Sequence, residues 1–465
     1  MLPPPFHEAE RVPGVGRLRT PSRSFASPMS PRPLQFPETE ITSLAHDGRG
    51  VACIGGKTVH VHGALPGERV RIRYVRRSRE LDEARVEELL VASPLRIEPR
   101  CPHFGTCSGC NLQHLPPGEQ IRIKQQVLAD NLADAGGLVP ARWLEPLQDQ
   151  AWGYRRKGRL SVKWVEKKGR ALVGFREVDT RFVAELSICH TLLPQVGECI
   201  GALAELIASL DAKREVPQIE VAAGDDHVAL TFRHLVPLSE ADRLALAGFG
   251  RAHGLAILLQ PGGPETVEPL GPSDEVPLSF RLPEHDVEIA FQPLDFVQVN
   301  GGLNRRMIAQ AIELLDVQPG DRVLDLFCGL GNFTLPLARR VAQVTGVEGE
   351  PSLVARARDN AARNGIANAD FHAADLLLDH QGADWAGADY DKLLLDPPRS
   401  GAAAVFDYLP RVGTDRVVYV SCHPGSLARD AAILVERHGF RLEAAGVMDM
   451  FPHTGHVESI ALFRR

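Results

Sequence analysis

Cysteine is scarce in this sequence of 465 residues, which contains only eight. So low a frequency excludes the disulfide framework of a small secreted domain. The sequence also lacks a secretory signal with an apolar central region and any apolar run long enough to span a bilayer, so we expect a cytoplasmic protein. An overall basic charge is missing too, since the formal net charge is -7. A nucleic-acid partner would therefore have to be bound by a local basic patch.

The character of the sequence changes along the chain and predicts four regions. Residues 1–37 contain nine prolines and are predicted to form a disordered tail. Residues 38–95 alternate short strand signals with glycine turns, which is typical of a small β-barrel. Residues 96–290 form a central region of mixed character. Residues 291–465 alternate strands and helices, which predicts an α/β domain.

A glycine turn follows the apolar stretch VLDLF, which we interpret as a buried parallel strand. Glycine lets the backbone approach a ligand closely, and Gly329 and Gly331 supply this freedom. Glu348 lies 23 residues after Asp325, the spacing at which an acidic residue meets ribose hydroxyls in doubly wound folds. A dinucleotide site would need a third glycine where Thr334 stands. These features favour binding of another nucleoside-containing cofactor.

The stretch LLLDPPRSG marks the end of another predicted strand, with Asp396 as its first polar residue. Amino-group methyltransferases carry a related motif in which an aromatic residue follows the two prolines and stacks on the base. Arg399 occupies that position here. The difference argues against methylation of an amino group.

A cysteine and a glutamate provide the chemistry for carbon methylation. Cys422 follows the strand-like VVYV, and Glu458 lies 36 residues later. C5 of uracil is too weak a nucleophile to attack a sulfonium methyl group, but a thiolate that adds at C6 makes C5 carbanionic. A base must then remove the C5 proton. We therefore predict Cys422 as the nucleophile and Glu458 as the general base.

Together these segments resemble the RNA uracil-5 methyltransferase family. The matching segments are DFVQVN, LDLFCGLGNFTLPLA, GVEG, LLLDPPRSG, VSCHPGSLARD and DMFPHTGHVE. The resemblance implies a class I S-adenosylmethionine-dependent methyltransferase domain with a Rossmann-like fold. It also implies that the donor contacts Gln298, Phe327, Asn332, Glu348, Asp375 and Asp396.

The chain departs from the family pattern at two positions. The family usually has asparagine where this chain has His423, and asparagine again at the adenine-side position that Asp375 occupies. Cys328 lies in the donor turn, where a second catalytic thiol is conceivable, but the resemblance gives it no catalytic role. We interpret Cys328 as structural.

Three of the cysteines form a C-x5-C-x2-C pattern, and a fourth lies farther along the chain. They are Cys101, Cys107, Cys110 and Cys189. Four thiolates suit either a structural zinc ion or an iron–sulfur cluster, and spacing alone leaves both open. The family resemblance implies a [4Fe–4S] cluster. The remaining Cys53 and Cys199 are expected to be packing residues.

The β-barrel region matches an OB-like TRAM domain in position and size. It contains six arginines between Arg69 and Arg79, which form either a solvated strand face or an RNA-binding surface. By resemblance, a TRAM barrel, a cluster and a catalytic domain together imply action on uridine 1939 of 23S rRNA. The resemblance also implies that relatives acting on tRNA lack the barrel and the cluster, so that the architecture selects the substrate.

Two alternatives remain at this point: a tRNA uracil-5 methyltransferase, and a non-catalytic iron–sulfur protein that binds RNA or assists assembly. The joint presence of the thiol, the carboxylate and the donor turn argues against the second. No obligate protein partner is inferred, and a monomer is compatible with the sequence.

Overall fold

The computed structural model describes residues 36–178, 180–380, 382–408 and 414–465. The predicted disordered tail lies outside the described residues, apart from its last two positions. Residues 37–465 form one compact unit, and its described residues form three sheets and a hairpin.

The first sheet contains six strands, with the order β1-β5-β6-β4-β3-β2. Neighbours are antiparallel except for β4 and β6. In β5, Val70 and Ile72 are buried and the arginines that alternate with them are exposed, as the period of two in a strand requires. The strands are Glu38–Glu40 (β1), Ser43–Leu44 (β2), Gly50–Ile54 (β3), Lys57–His62 (β4), Arg69–Arg76 (β5) and Asp82–Val91 (β6).

The cysteine segment follows this sheet and leads into the helix Pro117–Asp134 (α1) and the short strand Arg142–Trp143 (β7). Pro117 occupies the first turn of α1, where a missing backbone N–H costs no helical hydrogen bond. The helix buries Leu128 and Leu132 along one stripe.

The second sheet has the order β13-β12-β11-β10-β8-β9 and carries α3 and α4. Its elements are Lys157–Val165 (β8), Arg170–Gly174 (β9), Pro194–Gly197 (α2), Ile200–Ser209 (α3), Gln218–Ala223 (β10), Val228–Arg233 (β11), Glu240–His253 (α4), Ala256–Gln260 (β12) and Glu268–Pro269 (β13). The hairpin Ser279–Leu282 (β14) and Val287–Ala290 (β15) comes next. Short 3₁₀ turns occur at Glu166–Lys168, Pro264–Thr266, Pro272–Asp274 and Pro283–His285.

The third sheet has eight strands in the order β18-β17-β16-β19-β20-β22-β21-β7. Five neighbouring strands, β18 to β20 in that order, run parallel, and β22 is antiparallel to both of its neighbours. Its elements are Gly301–Leu315 (α5), Arg322–Leu326 (β16), Thr334–Ala338 (α6), Gln343–Glu348 (β17), Pro351–Arg363 (α7), Ala369–Ala373 (β18), Asp384–Gly387 (α8), Lys392–Leu395 (β19), Val405–Tyr408 (α9), Arg416–Ser421 (β20), Pro424–His438 (α10), Arg441–Met448 (β21) and Glu458–Arg464 (β22).

Helices cover both faces of the third sheet, which explains its almost continuously apolar strands. Helices α5 and α7 pack on one face, and α1 and α10 pack on the other. Because β16, β17, β19 and β20 are parallel, the loops at their carboxyl ends meet at a single edge. This is the edge where open α/β sheets bind ligands.

The structure divides the segment that the sequence suggested as one central region, 96–290. Helix α1 and strand β7 pack with the third sheet, whereas β8 to β13 form a sheet of their own. The hairpin β14–β15 is attached to α7, since the side chains of Asn360 and Asn364 bond to the backbone of β15.

Candidate active site

All eight residues predicted to bind the donor or to act in catalysis line one cavity of about 610 Å³ at the carboxyl edge of the third sheet. They are Gln298, Phe327, Asn332, Glu348, Asp375, Asp396, Cys422 and Glu458. They come from separate stretches of the chain, and the parallel strand order brings them together.

The turn after β16 forms one wall of this cavity. Gly331 has a φ of +90°, and a Cβ atom there would lie 2.9 Å from Leu335 Cγ, so the turn requires glycine. The backbone N–H of Gly329 donates to Glu348 Oε2 at 3.1 Å. The second carboxylate oxygen accepts from the N–H of Glu350 at 3.0 Å. These bonds fix Glu348 beside the glycine turn.

Other cavity residues are held in different ways. Asn332 and Asn304 exchange two amide hydrogen bonds of 2.9 Å, so α5 orients Asn332. Asn304 has no local signal in the sequence, because its partner is 28 residues away. Asp375 is exposed and accepts from the N–H of Leu377 at 3.0 Å. Phe296, which lies within the DFVQVN motif but was not predicted individually, lines the cavity and is 72% exposed.

Sheet register places the predicted nucleophile beside the predicted base. Cys422 directly follows β20, and Glu458 begins β22. The antiparallel ladder pairs Ser421 with Ser459, so the next position along the ladder sets Cys422 opposite Glu458. Cys422 and Glu458, which are 36 residues apart in sequence, are therefore neighbours in the structure.

Burial dominates the electrostatics of this pair. It raises the pKa of Cys422 to about 11, and the negative charges of Glu458 and Asp396 add to the effect, while Arg399 opposes it. Burial also raises the pKa of Glu458 well above its usual value, as does Asp396, while Lys124 and Arg399 lower it. Both groups are thus biased toward their protonated forms before substrate arrives.

A second groove of about 810 Å³ meets the same site from another side. Cys422, Arg399, Phe451 and His456 line both the cavity and this groove. The Arg399 guanidinium donates to His456 Nδ1 at 3.0 Å, which leaves the proton of a neutral imidazole on Nε2. The groove also contains side chains from β8, from the segments that flank β8 and β9, and from the loop before β3: Arg159, Arg155, Arg176, His46 and Asp47.

His423 acts as the N-cap of α10. Its Nδ1 accepts from the backbone N–H of Ser426 at 3.2 Å. Asparagine, the usual family residue, is a strongly preferred N-cap for the same reason. The substitution therefore preserves the cap beside Cys422.

Cys328 is buried below the glycine turn and only 4% exposed. A Cβ atom added to Gly346 on β17 would lie 3.0 Å from its Sγ, so the thiol packs tightly against the sheet. Burial raises its pKa well above the ordinary value. Its surroundings are those of an inert packing cysteine.

The four cysteines of the predicted cluster line one small pocket together with Phe104, Phe175 and Leu186. Burial raises the pKa of Cys107 to about 11 and of Cys110 to about 12, and neighbouring thiols contribute to both shifts. Among the described residues, no three His, Cys, Asp or Glu side chains are placed to hold a single metal ion. The pocket therefore brings together the four predicted ligands, a set of thiols that suits either a zinc ion or an iron–sulfur cluster.

The arginine run on β5 is partly neutralised by its own sheet. Arg77 stacks over the ring of Tyr74, with its guanidinium carbon 3.8 Å from the centroid. Arg76 and Arg79 are exposed and have no ion pair within the described part of the chain. Three others form ion pairs: Arg69 with Glu38, Arg71 with Glu88, and Arg73 with Glu87.

The strand order, the glycine turn and the cavity define a class I S-adenosylmethionine-dependent methyltransferase fold. Residues 274–465 match a family model described as tRNA (Uracil-5-)-methyltransferase. The helices of the described residues include none that is long and apolar enough to cross a membrane.

Relatives extend the match beyond this region. The 23S rRNA (uracil(1939)-C(5))-methyltransferase RlmD of Xanthomonas euvesicatoria is 61% identical over 92% of this chain and 97% of its own length. The enzyme of the same name from Xylella fastidiosa is 62% identical over the same shares. The chain therefore belongs to the RNA uracil-5 methyltransferase family.

One solved structure shares the fold of nearly the whole chain. The tRNA (uracil-54, C5)-methyltransferase of Pyrococcus abyssi, solved with S-adenosyl-L-homocysteine, has a TM-score of 0.69 at 23% identity. The similarity covers 92% of this chain and 99% of that one. Because the coverage is so high, the shared fold extends over the regions before the catalytic domain as well.

Proposed function

We propose that this protein transfers a methyl group from S-adenosylmethionine to C5 of uridine 1939 in 23S rRNA. The observation that carries the proposal is the register of β20 and β22, which sets Cys422 opposite Glu458 in the cavity that holds the donor residues. Close relatives named for this activity support the choice of RNA.

The donor is proposed to lie across the carboxyl ends of β16, β17 and β19. Glu348 accepts hydrogen bonds from the ribose hydroxyls, and Asp375 accepts one from the adenine amino group. Gln298, Phe327, Asn332 and Asp396 complete the contacts. A site rich in carboxyl groups also suits the positive charge of a sulfonium, since opposite charges attract strongly where water is excluded.

The reaction begins when the Cys422 thiol releases its proton to solvent and the resulting thiolate adds to C6 of the uracil. The electron pair of the C5–C6 bond moves toward C5 and the O4 enolate. C5 then attacks the methyl group, and the sulfonium leaves as the neutral thioether S-adenosylhomocysteine. Glu458 removes the C5 proton, the C5–C6 double bond re-forms, and Cys422 is expelled as thiolate.

The target uracil has to leave its RNA helix before Cys422 can add to it. Cys422 must approach C6 from the face of the ring, which stacking in a helix would block. Because Cys422 lines both the donor cavity and the neighbouring groove, we propose that RNA occupies the groove and the flipped uracil bridges the two.

Two further parts of the proposal concern the regions before the catalytic domain. We propose that Cys101, Cys107, Cys110 and Cys189 hold a [4Fe–4S] cluster, which ties distant parts of the chain together. The catalytic scheme is complete without a redox step. We also propose that the first sheet is a TRAM-type barrel that binds RNA through its exposed basic side chains.

Transfer of labelled methyl from S-adenosylmethionine to unmodified 23S rRNA or to tRNA tests the function. We expect labelled 5-methyluridine in 23S rRNA with the wild-type protein, and none with Cys422→Ala. Labelling of tRNA alone would support the second enzyme function, for which the Pyrococcus fold similarity is the supporting observation. Labelling of neither RNA would contradict the proposal and leave an RNA-binding or assembly role.

A further inference from the structure

The loop between β21 and β22, residues 449–457, precedes the proposed general base; we call it the base loop. It contributes Phe451 and His456 to the active-site cavity and enters β22 at Glu458. Its backbone conformation is unusual, because His453 has a φ of +68°. A residue other than glycine stays in this region only where its surroundings hold it.

The residues directly after Cys110 supply much of that hold. The backbone N–H groups of Asn111 and Leu112 both donate to the carbonyl of His453, at 3.0 and 2.9 Å. The Asn111 side chain accepts from the N–H of Gly455 at 2.9 Å and donates to the carbonyl of Asp47 at 2.5 Å. Asn111 thus bonds to the base loop through both its backbone and its side chain.

Helix α1 holds the same loop from below. The N–H of His453 donates to Gln120 Oε1 at 2.8 Å, and Gln120 also donates to the carbonyl of Leu112. Lys124 forms a buried ion pair of 2.6 Å with Asp449 and donates to the carbonyl of Phe451. Gln120 therefore connects the base loop to the residues after Cys110, as Asn111 does.

Trp152 covers the far side of the loop. Its ring stacks on His453, with ring centroids 3.8 Å apart and planes inclined by 26°. The base loop is packed closely against the loop before β3. A Cβ atom added at Gly455 would lie 2.3 Å from the carbonyl carbon of Asp47. The loop has no room to rearrange without displacing its neighbours.

We infer that Asn111 is a positioning residue that transmits order from the cysteine cluster to the base loop. The inference rests on the proposed function. Asn111 is bonded covalently to Cys110, so fixing the Cys110 sulfur limits the positions open to Asn111 and, through it, to His453 and Gly455. Cys422 lies on a different element, at the end of β20, and is not part of this connection.

Because the base loop leads directly into Glu458 and not into Cys422, the effect should fall mainly on one step. Addition of Cys422 to C6 and attack on the methyl donor use β20 and the donor cavity. Removal of the C5 proton uses Glu458, which the base loop leads into. Loosening the loop should therefore slow proton removal more than it slows formation of the covalent adduct.

The test compares three variants of the full-length protein purified with its metal. Asn111→Ala removes both side-chain bonds. Asn111→Asp keeps an oxygen that can accept from the N–H of Gly455. Thr106→Ala is the matched control, since Thr106 lies in the cysteine segment, is exposed, and bonds to its neighbours through its backbone.

With RNA containing 5-fluorouridine at the target, no C5 proton has to leave, so the rate of adduct formation reports addition and methyl transfer. Asn111→Ala should form this adduct within about twofold of the wild-type rate. With ordinary RNA its turnover should fall on the order of tenfold, as expected for a displaced catalytic group, and a methylated covalent adduct should accumulate. Asn111→Asp should recover most of the turnover, and Thr106→Ala should match the wild type.

Hydrogen exchange measures the loop itself and does not depend on activity. Residues 449–457 should exchange faster in Asn111→Ala, and also in wild-type protein after anaerobic removal of the bound metal, while β16 and β19 should exchange as before. Loop exchange that is unchanged by metal removal, or equal losses of adduct formation and turnover in Asn111→Ala, would overturn the inference. If wild-type protein formed no adduct with either RNA, the proposed function would fail instead.

Discussion

At the scale of single residues, the active site pairs a thiol and a carboxyl group that are both disfavoured as anions. Burial raises the pKa values of Cys422 and Glu458, and the charge of Asp396 raises both further. Arg399 lowers both, and it is the side chain that also fixes His456. The arginine that replaces the aromatic residue of amino-group methyltransferases therefore has an electrostatic role at this site.

Replacing the base should trap the intermediate. Glu458→Gln removes the proposed acceptor of the C5 proton but leaves Cys422 free to add, since addition precedes the step that needs the base. We expect a methylated protein–RNA adduct with ordinary uridine, and turnover reduced at least about 100-fold, the scale of a lost general base.

Denaturing gels and peptide mass spectrometry detect and locate this adduct. Cys422→Ala should give neither adduct nor product. An adduct mapped to Cys328, or robust methylation by Cys422→Ala, would contradict the assignment of the nucleophile.

The rate of adduct formation with 5-fluorouridine RNA should rise with pH. The reactive species is the thiolate, and the pKa of Cys422 is about 11, so its thiolate fraction rises roughly tenfold per pH unit below that value. Arg399→Ala removes a positive charge that lowers this pKa, which should shift the profile to higher pH and slow the reaction near neutral pH.

Arg399→Lys, which keeps the charge, is the matched variant and should shift the profile less. The measurement is the single-turnover adduct rate at saturating donor, followed from mildly acidic to mildly alkaline pH. A rate independent of pH over this range would mean that thiol deprotonation does not limit addition.

At the scale of elements, the sequence predicted the local parts of the site well. The strand ends at Glu348, Asp396 and Cys422 could be recognised because a buried strand and its terminating polar residue are contiguous in sequence. The assignment of α1 to the third sheet could not be predicted. Its apolar stripe requires a partner but does not say which sheet supplies it.

The basic surface of the first sheet also depends on contacts that the local sequence pattern does not reveal. The alternation in β5 predicted an exposed row of arginines, but the glutamates that neutralise Arg71 and Arg73 come from β6, so only strand pairing reveals them. Exposed ion pairs of this kind contribute little to stability, but they reduce the positive field that a phosphate meets.

We therefore expect unequal contributions from these arginines to RNA binding. Arg76→Ala combined with Arg79→Ala should weaken binding of 23S rRNA fragments and reduce the slope of log affinity against log salt by about one for each phosphate that is no longer neutralised. Arg71→Ala combined with Arg73→Ala, the matched pair on the same sheet, should change the slope less. Fluorescence anisotropy at several salt concentrations measures both, and equal slopes for the two pairs would contradict the expectation.

At the scale of the whole molecule, the loops of the third sheet contact side chains from the first-sheet region, the cysteine segment, α1 and the second sheet. The groove at Cys422 contains residues of the second sheet and of the loop before β3, and the base loop is held by the cysteine segment and α1. None of these long-range contacts has a local signal in the sequence, although family resemblance identified the residues that the cavity collects. A change far from the cavity can therefore alter it through packing.

The cysteine pocket is where that dependence can be tested most directly. Cys189 comes from the loop before α2, and the other three cysteines come from the segment before α1, so a bound cluster would close a long loop of chain. Because metal binding and folding are coupled, Cys189→Ala should lose iron and sulfide and unfold at lower denaturant concentration.

Cys53→Ala is the control, because Cys53 is exposed and is not the packing residue that the sequence suggested; this variant should retain both the metal and the wild-type stability. Anaerobic purification followed by iron, sulfide and zinc analysis gives the metal content, and chemical denaturation gives the stability. We expect about four irons per chain in the wild type. One zinc and no iron would contradict the cluster. Full iron content in Cys189→Ala would show that the fourth ligand lies elsewhere.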